Sequence, residues 1–249
     1  MRLTLLGTGA AAGLPVYGCE CDVCKNARGK PEFRRGPCSA LLEFDGRQCL
    51  IDAGHHNLAE RFPPGSLEGI LLTHFHPDHV QGLFHLRWGE NCHIPVYTPP
   101  DSQGCADLYK HPGILEFRSC KKFLSFSLGE LRVTPVPLIH SKPTFGYCFE
   151  YGRKRFAYLT DTKGLPPATT DFLKSQALDL LVIDCTYSPD EMLPGHNNLH
   201  DVFDIDSKLC PSQIVLTHIG HDMDVWLTQD GCRLPSSYAV AKDGLEFAL

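Results

Sequence analysis

Thr73-His74-Phe75-His76-Pro77-Asp78-His79 places three histidines and one aspartate within six residues. Imidazole and carboxylate are ligands for divalent zinc, manganese or iron. Along an extended backbone, side chains two apart point the same way, so His74 and His76 can reach one ion together. Pro77 interrupts the chain at the start of any helix. Asp78 and His79, beyond that kink, can be aimed at a second ion beside the first. One histidine in a loop is ordinarily a solvated turn residue, but four ligand-type side chains at this spacing are a metal signature. A second grouping is Gly18-Cys19-Glu20-Cys21-Asp22-Val23-Cys24. Cys-x-Cys-x-x-Cys is the spacing of a thiolate zinc site. Three thiolates leave a tetrahedral zinc one ligand short, so a closed structural site needs a fourth donor from elsewhere. Such a site would pin a long loop, near residues 13–38, that has little core of its own.

These side chains need a frame. Gly69-Ile70-Leu71-Leu72 is an apolar run that reads as a buried strand, with the histidine cluster on the turn at its carboxyl end. Val80 to Leu86 then resumes at helical spacing, and Gly82 to Trp88 completes that helix. Upstream, Leu3 to Leu6 is strand-like, and Cys38–Phe44 and Gln48–Asp52 form a hairpin around Asp45-Gly46. Asn57 to Phe62 is a short helix closed by Pro63-Pro64-Gly65, with His55 and His56 as helix-start or supporting residues. Ile94–Tyr97 is a strand and Cys105–Tyr109 a helix. Further strands are expected at Phe123–Phe126, Leu131–Leu138, Phe145–Tyr151, Arg155–Leu159, Leu178–Asp184, Ile214–Leu216 and Leu245–Leu249. Helices are expected at Pro166–Lys174 and from His196 through Leu209. His85, His93 and His111 stand alone and read as surface or packing residues.

At 249 residues the chain fits one domain, read here as 1–249. Its 43% hydrophobic and 21% charged residues are ordinary for a globular protein. No apolar run approaches the roughly 20 residues of a membrane span. The net charge of −6 gives no basic footprint for nucleic acid. Met1-Arg2 leads directly into the first strand with no export signal, so the twelve cysteines are expected as reduced thiols and metal ligands in the cytoplasm. Gly7 to Gly13 is Gly-rich but lacks the Lys-Ser/Thr of a phosphate loop and is given no nucleotide role.

His-x-His-x-Asp-His resembles the signature of the metallo-β-lactamase superfamily. The resemblance implies an α/β fold, an αββα sandwich with two metals at the sheet edge. It also implies three downstream ligands: a His, an Asp and a last His. His140, Asp161 and His218 each stand at a strand end in that order. Site one would then use His74, His76 and His140, site two Asp78, His79 and His218, and Asp161 would bridge. His221 has no place in that count and is the candidate fourth ligand for Cys19, Cys21 and Cys24. Asp52-Ala53-Gly54 matches an Asp-x-Gly that supports the metal loop in this superfamily.

The match extends over most of the chain. Leu72-Thr73-His74, His79-Val80-Gln81-Gly82-Leu83, Leu86-Arg87-Trp88-Gly89, His140-Ser141-Lys142, Thr144-Phe145-Gly146-Tyr147, Leu216-Thr217-His218 and the cysteine run resemble the PhnP family of cyclic phosphodiesterases. That family belongs to the carbon–phosphorus lyase pathway of phosphonate catabolism. The resemblance implies hydrolysis of 5-phospho-α-D-ribosyl 1,2-cyclic phosphate to ribose 1,5-bisphosphate, a small phosphorylated sugar substrate. Two ions sharing a hydroxide would supply the nucleophile, and Asp78 is counted as catalytic as well as metal-binding. The catalytic pair would be manganese or zinc, and the cysteine site a structural zinc. A general acid is needed for the leaving alkoxide: His196, or His200 as the runner-up. Lys142 could contact a phosphate. The alternatives are a tRNA 3′-processing endonuclease, which should carry a basic Gly-rich arm not seen here, and a non-catalytic PqqB-like carrier, which tends to lose metal-loop ligands. No nucleic-acid or membrane partner is expected, and a homodimer is left open because related folds are often dimers.

Overall fold

Leu3 and Leu5 are fully buried while Arg2, Thr4 and Leu6 between them are not, the period-2 pattern of a half-buried strand. That strand is β1 (Arg2–Gly7) in the computed structural model, which describes residues 1–229 and 233–249. The elements follow as α1 (Asp22–Gly29), β2 (Ser39–Phe44), β3 (Arg47–Ile51), α2 (Leu58–Arg61) and β4 (Leu67–Leu71). Next come α3 (Pro77–Val80), α4 (Leu83–Leu86), β5 (Ile94–Thr98), α5 (Ala106–Lys110) and β6 (Leu115–Ser119). β7 (Phe126–Leu128), β8 (Leu131–Pro137), β9 (Phe145–Tyr151), β10 (Lys154–Leu159) and α6 (Pro167–Lys174) continue the chain. It closes with β11 (Leu180–Asp184), α7 (Leu199–Leu209), β12 (Gln213–Thr217), α8 (His221–Leu227), β13 (Tyr238–Val240) and β14 (Leu245–Ala248).

The strands form two seven-stranded sheets, ordered β14-β1-β2-β3-β4-β5-β6 and β13-β12-β11-β10-β9-β8-β7. Each is antiparallel on one side and parallel on the other. Leu3, Leu42 and Ile51 of the first sheet pack against Tyr147, Phe149, Phe156 and Val182 of the second, so the main core lies between the sheets. The outer face of the first sheet carries α2–α5 over Leu50, Ile70 and Val96. The outer face of the second carries α6–α8 over Leu159, Ile183 and Leu216. The result is the four-layer αββα sandwich expected from the sequence. β3, β4, β8, β10, β11 and β12 end at one common edge, the crevice where open α/β sheets place their ligands.

The structure differs from the sequence reading in a few places. The single helix expected after the metal loop is two short ones, α3 and α4. Gly82 between them keeps helical dihedrals (φ −67°, ψ −24°) but donates to Ala53 O at 2.8 Å instead of to the preceding turn, and a Cβ there would stand 2.1 Å from His55 O, so the helical ladder breaks where the chain docks on backbone. The strand expected at Phe123–Phe126 begins only at Phe126, because Phe123 has a left-handed backbone (φ 60°). α1, β6, α8 and β13 were not foreseen.

Candidate metal centre

β4 runs into Thr73 and the turn that carries His74, His76, Asp78 and His79, and Asp52 at the end of β3 accepts from Thr73 N and pairs with His79. β8 delivers His140, β10 delivers Asp161, and β12 delivers His218. His74, His79, Asp161 and His218 are almost fully buried. Their donor atoms converge. His74 Nε2 and His76 Nδ1 stand 2.8 Å apart, and His140 Nε2 is 3.1 Å from the same His76 nitrogen. Asp161 Oδ2 lies 3.4 Å from both His79 Nε2 and His218 Nε2, 3.7 Å from His74 Nε2 and 3.9 Å from His140 Nε2. Asp78 Oδ2 is 3.4 Å from His79 Nε2 and 3.9 Å from His218 Nε2. The structure thus brings together all seven side chains singled out in the sequence, with Asp161 central to both halves.

The residues behind them fix which nitrogen faces inward. His79 Nδ1 donates to Asp52 Oδ2 at 2.8 Å. His74 Nδ1 donates to Thr73 Oγ1 at 3.0 Å, and that hydroxyl donates to Asp52 Oδ2. His140 Nδ1 donates to Gly195 O at 3.0 Å, and His218 Nδ1 to Thr186 Oγ1 at 2.8 Å. With the Nδ1 atoms of these four rings carrying the proton, their Nε2 atoms present lone pairs to the centre, the outer hydrogen bonding typical of metal-binding histidines. His76 instead turns its Nδ1 inward. Burial holds His74, His76 and His140 below the usual imidazole range, which keeps these rings neutral and able to ligate. Burial opposes ionisation of Asp161, but the neighbouring His218 and His79 rings outweigh it and hold its carboxyl well below the usual range.

The residues fit divalent ions. His79 Nε2, His218 Nε2 and Asp161 Oδ1 are buried with no hydrogen-bond partner among the described residues, a costly state for polar atoms unless a ligand takes up the lone pairs. His74, His76, His140 and Asp161 form one group with metal-compatible spacing, and Asp78, His79 and His218 form another. The backbones of Asp52 and His218 are left-handed (φ 56° and 54°), strain of the kind that gathers at functional sites.

His196 enters beside this centre from the loop before α7. Its ring stacks on His218 at 4.8 Å and lies 5.0 Å from His140. Its Nδ1 donates to Asp184 Oδ2 at 2.8 Å. Burial disfavours the imidazolium, but the bond to Asp184 and that carboxylate's charge outweigh it and raise the His196 pKa. Asp184, fully buried at the end of β11, also accepts from the backbone N–H groups of Thr162 and Thr186. Sequence reasoning passed over Asp184; its signal was a buried apolar strand ending in a carboxylate, the same signal that singled out Asp161. His200 is not brought in: it is exposed on α7, its ring near Phe203. Lys142 lies partly exposed two residues from His140. His55 and His56 stay outside the cluster, with His56 edge-on to His85 at 6.0 Å.

The cysteine cluster forms at the start of α8. Cys19 Sγ and Cys21 Sγ lie 3.5 and 3.2 Å from His221 Nε2, and Cys24 completes a four-donor group. Cys21 caps α1, accepting from Cys24 N, and this bond with that of His221 pulls its thiol down to about 6. Burial pushes the Cys24 thiol up to about 11.

Comparison with known proteins places this geometry. The chain is 30% identical over 267 aligned positions to an octanoyltransferase from Porphyromonas gingivalis, covering 99% of this chain and 51% of that protein. It is 33% identical over 121 positions to coenzyme PQQ synthesis protein B of Methylobacterium radiotolerans, covering 43% of this chain and 39% of that one. The chain spans about half or less of the length of these relatives. Among solved structures, a diphosphatase from the PhnP family superposes with a TM-score of 0.84 at 29% identity, covering 100% of this chain and 97% of the other. The beta-lactamase superfamily domain matches residues 47–219, from β3 through the last histidine of the cluster, and the chain belongs to the metallo-β-lactamase superfamily, close in structure to the PhnP family.

Proposed function

We propose that the protein is a divalent-metal-dependent phosphoric diester hydrolase. The observation that carries this reading is the convergence of seven ligand-type side chains with inward lone pairs, beside a histidine braced by a buried carboxylate. His74, His76, His140 and Asp161 would hold one ion, and Asp78, His79, His218 and Asp161 the other. Manganese and zinc both suit this nitrogen and oxygen set. Two such cations supply charge against phosphate oxygens and make a water acidic enough to act as nucleophile near neutral pH.

The chain's own residues then orient and protonate. Asp184 holds His196 Nδ1, so the proton on His196 Nε2 is the one available to a leaving alkoxide. Gly195 fixes His140 and Thr186 fixes His218, keeping the rings on either side of His196 in place. Asp52 does the same for His79. Lys142, partly exposed near His140, would contact a second phosphate. Cys19, Cys21, Cys24 and His221 would hold a structural zinc. The substrate that best accords with the family resemblance is 5-phospho-α-D-ribosyl 1,2-cyclic phosphate, opened to ribose 1,5-bisphosphate in phosphonate catabolism. Eleven described cysteines are free thiols, in keeping with a cytoplasmic setting.

The test is hydrolysis by protein reloaded with manganese or zinc, on bis(p-nitrophenyl) phosphate and on the cyclic ribosyl substrate, with Asp161→Ala alongside. Strong preference for the cyclic sugar phosphate, lost in the variant, supports the whole reading. Turnover of the generic diester alone keeps the chemistry and reopens the substrate. No turnover of either by metal-loaded protein overturns the enzyme reading and favours a carrier.

A further inference from the structure

The two metal-type clusters are separated by only Ile219 and Gly220, since His218 closes one and His221 the other. The turn between them is clamped on both sides. Ile219 N donates to Thr8 O at 2.8 Å, Ala10 N donates to Ile219 O at 3.0 Å, and Gly220 N donates to Thr186 O at 3.0 Å. A Cβ on Gly220 would stand 2.5 Å from that same Thr186 oxygen. A turn held this closely passes a displacement at one end to the other.

One buried side chain gathers the clamps. Arg35 makes a two-pronged pair with Asp224, Nε to Oδ2 at 2.7 Å and Nη2 to Oδ1 at 2.8 Å. Asp224 lies on α8, the helix that opens with His221. Arg35 Nη1 donates to Thr8 Oγ1 at 2.9 Å and to Ala241 O at 2.6 Å. Its backbone pairs with Leu14 in both directions at 3.1 Å, which ties it to the loop leading into the cysteines. Thr8 in turn donates to Asp243 Oδ1 at 2.7 Å, and Asp243 Oδ2 accepts from Gly36 N at 2.6 Å. Arg35 therefore touches the cysteine loop, the helix of His221, and the residue whose carbonyl holds the turn next to His218. The Arg35 and Asp224 side chains are only 9% and 11% exposed, so the pair is shielded from solvent screening.

We propose that Arg35 is a positioning residue that couples the two clusters, so that filling the cysteine cluster strengthens ion binding at the His218 centre. The inference rests on reading both clusters as metal sites. Coupling of this kind is reciprocal, so an ion at the His218 centre equally strengthens zinc binding by the cysteines.

Metal hardness lets the two sites be probed separately, because thiolates select zinc whereas manganese takes nitrogen and oxygen donors. Protein carrying one zinc would be titrated with manganese, and free manganese read by electron paramagnetic resonance. The same titration would be made on Cys21→Ser/Cys24→Ser, on Arg35→Met/Asp224→Leu, and on all four substitutions together. Exchanging both partners for apolar side chains avoids stranding a buried charge. Arg35→Lys, which keeps the charge but loses the fork, takes its place if that pair does not fold. In the native background, emptying the cysteine cluster is expected to weaken manganese binding about tenfold. Without the Arg35–Asp224 pair, the same change should shift binding less than about twofold, the difference being the coupling that a double-mutant cycle isolates. An equal loss in both backgrounds overturns the role of Arg35. Equal manganese affinity in every form overturns the coupling and leaves the hydrolase reading standing, whereas a centre that takes up neither manganese nor a second equivalent of zinc in any form overturns both.

Discussion

The histidine–aspartate cluster and the cysteine cluster sit three residues apart at their nearest members, yet they are built in opposite ways. The first is assembled from strand ends of both sheets, and most of its donors are fixed from behind by Asp52, Thr73, Thr186 and Gly195. The second draws three donors from one loop and α1, whose small core is Leu14, Cys24 and Ala27 with a few partly buried neighbours. A site on strands is shaped before any ion arrives. A site on such a loop leans on the ion for its own order. The chemistry belongs with the first kind, where reacting groups need fixed geometry, and the second kind supplies an anchor.

Substitutions sharpen this contrast, beginning with the most severe. Asp161→Ala removes the carboxylate common to both halves of the first cluster, and turnover should fall by more than the roughly 10–100-fold typical of residues behind a metal ligand. Metal analysis should show the loss confined to that cluster, with the cysteine-bound zinc retained; loss of both would break the distinction drawn here. Asp184→Asn keeps the shape but weakens the brace on His196. Turnover should drop roughly 10–100-fold with metal content unchanged.

Cys24→Ser should act in the reverse sense. One zinc is lost and turnover falls less than about tenfold, while the melting temperature drops by roughly 2–4 °C for each kcal/mol of anchoring removed. Amide exchange should speed up in α1 while the sheets stay protected. If the sheets open as well, the loop is no independent anchor.

Thiol labelling separates the regions by a subtler effect. Burial pushes the Cys38 thiol up to about 12, and it stays shut between the sheets, so it should label only on unfolding. Cys210 is exposed and should label at once, while Cys19 and Cys21 should become reactive only when a chelator strips the ion that the proposed zinc site would hold. The smallest effect is expected from His200→Ala. Its ring is exposed and apart from both clusters, so rates within about twofold of the parent are expected, and a larger loss would return it to the general-acid role.

Much of the first cluster could be read in the sequence because the superfamily resemblance named the ligand types to look for, and strand ends showed where to look. An apolar run followed by His or Asp marks a side chain delivered to a sheet edge, as with Leu71 before the metal loop, Leu138 before His140 and Leu216 before His218. The sandwich followed from the same runs. Long-range polar contacts left no such trace. Asp184 ends an apolar strand as Asp161 does, but no ligand position of the family pattern fell on it, and nothing local joins Arg35 to Asp224, 189 residues away. α1 was hidden for another reason: Asp22–Gly29 is mostly polar, and its cap is a cysteine rather than Ser or Asp. The break between α3 and α4 comes from backbone packing at Gly82, which periodicity cannot reveal.

The division of the first cluster between the sheets has a consequence for how long the protein lasts. His74, His76, Asp78 and His79 belong to one sheet, and His140, Asp161 and His218 to the other. Ions bound among them would stitch the two halves together across their shared edge. Any ligand held only by the folded form stabilises it in proportion to the logarithm of its concentration. Metal supply would then govern endurance as well as turnover: the bound ions would act as a removable seam, and the folded form would outlast heat or denaturant longer the more of the metal is present.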